Sequence, residues 1–433
     1  MGGAAASPPL RPLSQGGFKM NKKLITALIF LTTIGVIQAQ KLNFSGFLRN
    51  YTGVLVSLDN EFAIIQNTFN LNIEQNRDKI AFKFNPYVNQ YSGKNIEFGV
   101  REAYLDIYFP SVDVRIGKQQ IIWGKADGVF ITDIVSPKDL REFILPDFDE
   151  VRMGITSVKA DYYVGDNTFE VVWIPAFVPD KFPEPGSIWK PQLPTFPAPF
   201  RFDSSRMVVE KSLENSEFFA KFSVLSRLVD FELMAGYAWD DDPVIHVVKH
   251  VTRLDSQRIR LDSLTLYPEY HRLEIGGGSF STTLGPVVLR GEGAFYSGKY
   301  FNTQDPGALE SVVEKNYLHY LVGVDYTLMG WHLSGQFIQR AILDYEDSIK
   351  EDEFSSMATF LADKKFWNET LDIKFFAYYD FNGESSLLRP SVAYDLADGF
   401  NILVGANVFT GTEGLFGQFT NNDMVYVKVK YSF

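Results

Sequence analysis

The last eleven residues, Asp423–Phe433, read "DMVYVKVKYSF". Val425, Val427, Val429, Tyr431 and Phe433 alternate with Tyr426, Lys428, Lys430 and Ser432. Side chains of a strand point alternately to opposite faces, so this is a two-faced strand that ends on an aromatic residue. Half-burial in a soluble sandwich is one reading. The closing strand of a membrane barrel, apolar toward lipid and lysine-bearing toward a wet lumen, is the other.

The N-terminal region favours the barrel. From Met20 the chain runs "MNKKLITALIFLTTIGVIQAQ": two lysines, an apolar run from Leu24 to Ile37, and small residues ending at Ala39. That is the layout of a secretory signal peptide cleaved after Ala39. Residues 1–19, rich in Gly, Pro and Ala, read as a leader or an upstream start. Residues 40–433 then form one domain. No later stretch holds the roughly 18 apolar residues of a spanning helix. A mature chain in a membrane must therefore cross as closed strands, because open edges go unsatisfied in lipid.

Composition narrows the function. The formal net charge of −12 deepens to −16 without residues 1–39, which carry Arg11, Lys19, Lys22 and Lys23 and no acid. That balance argues against a nucleic-acid partner. With no cysteine, disulfides, thiolate metal sites and Cys nucleophiles are all excluded. The 38 Phe and 21 Tyr suit the aromatic girdles of a barrel.

Alternation and turn residues predict an all-β chain of 18 antiparallel strands, or 16 if two are misjudged, starting near residues 43, 61, 78, 100, 111, 151, 167, 216, 228, 268, 285, 316, 331, 357, 370, 385, 399 and 422. Connections alternate in kind. Short turns such as Pro110-Ser111, Met329-Gly330 and Trp367-Asn368-Glu369 face long loops at 122–150, 176–215 and 240–267. Short periplasmic turns opposite long extracellular loops are the pattern of an outer-membrane barrel of a Gram-negative bacterium. "RMVVE" (206–210) and "RIRLDSLTL" (258–266) read as strand extensions.

Charge on the lipid face costs about 2–4 kcal/mol at the bilayer midplane, so charged positions should face inward. This assigns Arg272, Glu274, Arg290, Glu292, Lys428 and Lys430 to the lumen. Both signs are represented, and such a lumen is wet.

The stretch "RIGKQQIIWGKADGVFITDIVSPKDLREF" (115–143) carries the main motif. Arg115, Gly117, Lys118, Gln119, Trp123, Gly124, Ser136, Pro137 and Asp139 follow the order Arg-x-Gly-Lys/Arg-Gln, Trp-Gly, then Ser-Pro-x-Asp. The pattern resembles a family of porin-like outer-membrane proteins catalogued as a domain of unknown function, distantly akin to alginate-export barrels. The resemblance implies a barrel and says nothing of a solute. A long loop after Gly124 is expected to fold back into the lumen. Glu102, Asp106, Asp113, Arg115, Lys118, Trp123 and Lys125 are the expected pore-lining or constriction residues. The second loop holds eight prolines between Pro175 and Pro199, interleaved with Phe177, Phe182, Trp189, Phe196 and Phe200. Dense proline favours extended, unladdered backbone packed on the rim.

Catalytic and metal signals are weak. His332-Leu333-Ser334 places both polar residues in the lumen, away from lipid substrate. "HVVKH" (246–250) lacks the glutamate and helix of a zinc motif. Solvation outweighs Ca²⁺ binding for "WDDDP" (239–243).

The expected function is a passive porin-like channel for small solutes, with no enzyme activity, metal or cofactor. Outer-membrane lipid surrounds it, and Phe433 is its signal to the barrel-assembly machinery. The alternatives are a barrel exporting or importing a specific polysaccharide or hydrophobic compound, or a surface adhesin or receptor acting through its loops. An oligomer is compatible with either.

Overall fold

The computed structural model describes residues 42–56, 61–93, 96–191, 195–255 and 258–433. The expected leader, signal peptide and cleavage site lie outside them. Chain order begins β1 (Asn43–Leu55), β2 (Phe62–Arg77), β3 (Ile80–Tyr91), β4 (Ile96–Tyr108), β5 (Val112–Gln119), β6 (Ile155–Val164) and β7 (Asn167–Ile174). It continues with β8 (Phe200–Phe202), β9 (Glu217–Val224), β10 (Asp230–Trp239), β11 (Val244–Arg253), β12 (Ile259–Glu269) and β13 (Arg272–Leu284). Then come β14 (Val287–Asn302), β15 (Val312–Leu328), β16 (Trp331–Ile342), β17 (Phe354–Phe366) and β18 (Leu371–Asp380). The last three are β19 (Ser385–Ala397), β20 (Phe400–Thr410) and β21 (Met424–Ser432).

All but β8, β11 and β12 join one 18-stranded sheet. Sequential neighbours pair antiparallel, and β21 pairs β1 from Phe47↔Ser432 to Leu55↔Met424, so the barrel is closed. Closure leaves no edge to satisfy in lipid. No helix among the described residues is long and apolar enough to cross a membrane.

The wall follows the alternation. On β2, Phe69 is 40% exposed while its neighbours Thr68 and Asn70 are 3% and 6% exposed. The same holds for Leu105 against Asp106, Phe295 against Glu292, and Val425 against Tyr426. A continuous apolar outer wall on a barrel of this size is a lipid-facing surface. At the short-turn end, Met329 and Gly330 both have positive φ (51° and 78°). That is the two-residue hairpin turn whose twist matches its strands.

Three expectations are corrected. First, 258–266 does not extend the barrel. It lies in β12, which pairs β11 antiparallel and β8 parallel in a separate three-stranded sheet. Residues 206–210 are not strand; Ser204–Met207 is a 3₁₀ turn. The segment 240–267 is therefore a β-hairpin, held by pairing rather than left as open loop. Second, Arg272 and Glu274 lie on the outer face, opposite Trp239 and Tyr237. Leu273 and Ile275 take the inward positions, where an apolar cluster receives them. Both charges sit at the long-loop end of β13, near the interface, where outward charge costs about 0–1 kcal/mol. There Arg272 lies over the rings of Tyr237 and Trp239 at 4.8 and 4.3 Å. Third, the upper lumen is not uniformly wet. Trp123, Ile131 and Val135 pack there against Val172, Ile174, Phe219, Met234, Leu321 and Ile338 from the inner wall.

Candidate functional site

The chain between β5 and β6, residues 120–154, turns into the barrel and crosses it. The motif residues are what send it inward. Gly117 adopts φ +133°, and a side chain there would meet the Ala103 carbonyl. Gln119 is fully buried and donates to the Ser157 carbonyl at 3.3 Å. The Ser136 hydroxyl accepts from the Ile121 N–H (2.8 Å) and donates to the Ile121 carbonyl (3.0 Å), joining the two limbs. The Met153 N–H closes on the Pro137 carbonyl at 2.7 Å.

One side of the loop is fixed to the wall from β7 round to β18. Trp123 donates from Nε1 to Glu170 on β7 and packs edge-on against Phe219 on β9. Glu292 on β14 accepts from the backbone N–H of Lys125, and from the N–H (3.3 Å) and hydroxyl (2.8 Å) of Thr132. Arg290 holds the Lys125 carbonyl and Asp127. Gln336 bonds Asp127 through both amide atoms, and the Tyr378 hydroxyl donates to the Gly128 carbonyl at 3.0 Å. Ile121, Trp123, Ile131 and Val135 are buried and contribute roughly 1.5–3 kcal/mol each. Ion pairs in a watery lumen contribute about 0–1 kcal/mol. Apolar packing therefore docks the loop, and the polar bonds set its register.

The other side is tied by charge. Asp147 reaches Lys428 (3.3 Å) and Arg49 (4.0 Å), and Glu150 reaches Arg49 (3.0 Å) and Arg101 (3.4 Å). Arg389 donates to the Ile144 and Leu145 carbonyls. Asp133 pairs with Arg152 inside the loop, both nearly sealed from solvent. Breaking one half of such a pair costs about 3–5 kcal/mol.

Between this loop and the wall of β1 to β5 and β21 lies a cavity of about 1220 Å³. The Pro-rich segment completes it: Lys181, Glu184 and Trp189 line it, while the Lys181 backbone pairs with Lys138 and Leu140 of the inward loop. Trp189 packs on Phe409 and Phe419 at the rim, as the expectation of a rim-packed segment has it. Arg101, Lys118, Arg141, Arg152, Lys181 and Lys428 face the cavity with Glu97, Asp139, Glu142, Glu150 and Glu184. Most are paired, as Arg141 is with Asp139 (2.6 Å) and Glu97 (3.3 Å). Burial first, then Asp139 and Glu150, push the Glu142 carboxyl up to about 7.

The expected constriction residues divide. Glu102, Asp106, Asp113 and Arg115 lie together on the β4–β5 wall. Glu102 takes Lys83 (3.0 Å) and the Gln120 N–H (3.1 Å). Asp106 takes Arg115 (2.6 Å), whose guanidinium stacks 3.9 Å over Tyr104. Asp113 accepts from the Tyr163 hydroxyl nearer the short-turn end. Lys118 lines the cavity. Trp123 does not line it: the indole is the anchor in the opposite wall. Lys125 also turns away from it, to Glu232 at 3.3 Å. Of the lumen set, Arg290 and Glu292 hold the loop, Lys428 meets Asp147, and Lys430 lies 4.7 Å over the Phe47 ring.

Arg49, Arg101, Asp147 and Glu150 were not expected as constriction residues. Arg101 breaks the alternation of β4, where the register shifts opposite Asn85-Pro86. The bulge turns Arg101 inward beside Glu102. Pro86 was the available signal, because a proline inside a strand marks a bulge. In the motifs read for chemistry, His332 turns to Asp363 (2.9 Å) and Ser334 to Arg290 and Asp127. Asp240 of the acidic run pairs with Lys299 at 2.7 Å.

The barrel matches those of outer-membrane porins. It is similar to OccK8 (OprE) of Pseudomonas aeruginosa, with TM-score 0.54, 10% identity, and 91% of this chain and 98% of that chain covered. OccK2 (OpdF) of the same organism, solved in complex with glucuronate, gives TM-score 0.53 at 9% identity, covering 91% and 98%. OccAB1 of Acinetobacter baumannii gives 0.53 at 8%, covering 90% and 96%. At these identities the likeness is one of fold. No curated protein matches the chain in sequence. A family model matches residues 51–433, and the chain thus belongs to DUF1302, a family described as protein of unknown function.

Proposed function

We propose that the chain is an outer-membrane channel for passive diffusion of small polar solutes. The observation that carries this is the inward loop, which fills one side of the lumen and leaves the charged cavity of about 1220 Å³ against the other. A solute enters at the long-loop, extracellular end. It passes the Glu150–Arg49–Arg101 pairs, then follows Glu102–Lys83 and Asp106–Arg115 down the β3–β5 wall. Cations and acids lining the cavity are nearly balanced, which supports weak ion selectivity. Export by the 20–39 signal, cleavage after Ala39 and assembly through Phe433 belong to the same reading.

The test is conductance of the purified barrel in planar bilayers. Discrete openings that grow when residues 126–146 are shortened support the channel. A barrel that stays closed with and without the loop overturns it, and favours an adhesin or receptor. Openings blocked by an oligosaccharide or an apolar compound, and not by small ions, favour the alternative of an export or uptake barrel for a specific polysaccharide or hydrophobic compound.

A further inference from the structure

At the foot of the β11–β12 hairpin, three side chains with metal-ligating atoms converge outside the channel. His246 of β11 and His271, just before β13, bring their Nε2 atoms to 2.9 Å. Glu269 of β12 places Oε2 3.9 Å from the same nitrogen of His246. The donor atoms all lie within 4.8 Å of one another. Sequence spacing points elsewhere, to His246 with His250, but His250 bonds Thr265 instead.

Two facing imidazole nitrogens need something between them. A neutral ring has one N–H, so a lone hydrogen must fill the 2.9 Å gap, with one nitrogen donating and the other accepting. On the far side of His246, the buried Nδ1 lies 2.9 Å from Glu310 Oε2 without the angle of a hydrogen bond, which leaves Nε2 as the ring atom turned to His271. A carboxylate behind an imidazole is the arrangement that orients a metal-ligating histidine. His246 is buried, which keeps that orientation. The Tyr300 ring stacks on His271 at 3.9 Å.

We propose that His246, His271 and Glu269 bind a divalent transition-metal ion of the zinc class, with water in the fourth position. Tetrahedral zinc with bonds of about 2.0–2.1 Å to nitrogen separates its nitrogen donors by roughly 3.3 Å. The rings part by a few tenths of an ångström, and the ion replaces the shared hydrogen as the donor ring exchanges with solvent to its Nδ1–H tautomer. Glu269 swings from Arg206, its partner at 3.2 Å. Arg206 keeps Glu310 at 2.6 Å, and so continues to brace the carboxylate behind His246. The ion then ties the hairpin to the barrel rim, on the face that receives whatever approaches from outside.

The full-length barrel in detergent, stripped with chelator, is titrated with Zn²⁺ by calorimetry and with Co²⁺ by visible absorption. One ion per chain is expected, with the intense absorption of tetrahedral Co²⁺. His271→Gln and Glu269→Gln should each weaken binding by at least 10–100-fold, and His250→Gln should leave it unchanged. All variants are first checked for heat-modifiable folded barrel. Should His271→Gln misfold, the Glu269→Gln and His250→Gln comparison still decides. Absence of stoichiometric Zn²⁺ binding, or equal binding in wild type and His271→Gln, overturns the site and leaves a hydrogen-bonded histidine pair.

Discussion

Replacing Glu292 by alanine tests the inward loop at an anchor on the β14 wall. One carboxylate there accepts three donors, the N–H groups of Lys125 and Thr132 and the Thr132 hydroxyl. A hydrogen bond to a charged group is worth about 1.5–3 kcal/mol, and an unpaired buried donor costs a similar amount. Water can enter the vacated space, so the three do not add. A net loss of roughly 3 kcal/mol in loop docking is expected, a shift of about a hundredfold in the docked-to-undocked ratio. Apolar packing by Trp123 and Ile131 keeps the loop docked most of the time. Single-channel records should then show brief excursions to a higher conductance level, absent in the parent. Combining Glu292→Ala with deletion of 126–146 should give steady high conductance and no excursions. If Glu292→Ala matches the parent in both mean conductance and noise, the loop does not control the passage, and the Pro-rich segment at 176–191 becomes the next candidate.

Removing Phe433 should lower the yield of heat-modifiable barrel in the membrane fraction, because Phe433 and Gly46 exchange two backbone bonds of 2.9 and 3.0 Å across the β1–β21 seam and the Phe433 ring stacks on Phe69; normal yield would refute this. Arg115→Gln leaves Asp106 without its close partner and should shift the reversal potential toward cation preference under a salt gradient; no shift places the selective step elsewhere. Glu142, with its carboxyl raised to about 7, is neutral below that pH and negative above it. Cation preference should therefore rise between roughly pH 6 and 8, and Glu142→Gln should flatten the rise, as reversal potentials measured across that range will show.

The wall was legible because lipid enforces it. Most outward positions on strands such as β2, β4 and β21 are apolar, and every second position is free to be polar. Each of the eighteen barrel strands starts within a few residues of its expected place. Where the lipid rule weakens, so does the reading. Arg272 and Glu274 sit near the interface, where outward charge is tolerated, and the inward Leu273 and Ile275 face protein instead of water. Arg101 stands at a bulge, and a one-residue slip moves a side chain to the other face. The hairpin β11–β12 has the same alternation as a barrel strand, because any half-buried sheet has period two. Only pairing distinguishes them.

The loop motif was visible, but its purpose depends on contacts between positions far apart in sequence. Gly117, Gln119 and Ser136 are backbone devices that bend the chain off the wall and close its base. Trp123 looks like an aromatic poised in a pore, yet its N–H needs a buried acceptor, and Glu170 supplies one on the far wall. An indole fixed in that way cannot line the cavity on the opposite side. The loop thus divides the lumen unequally: its apolar face is consumed by the wall from β7 to β18, and its charged face, with Asp147 and Glu150, is left to β1, β4 and β21. A passage bounded by a docked loop on one side and about a third of the barrel wall on the other is narrowed without shrinking the barrel. Its charge is then set by a few paired residues, each of which one substitution can unpair.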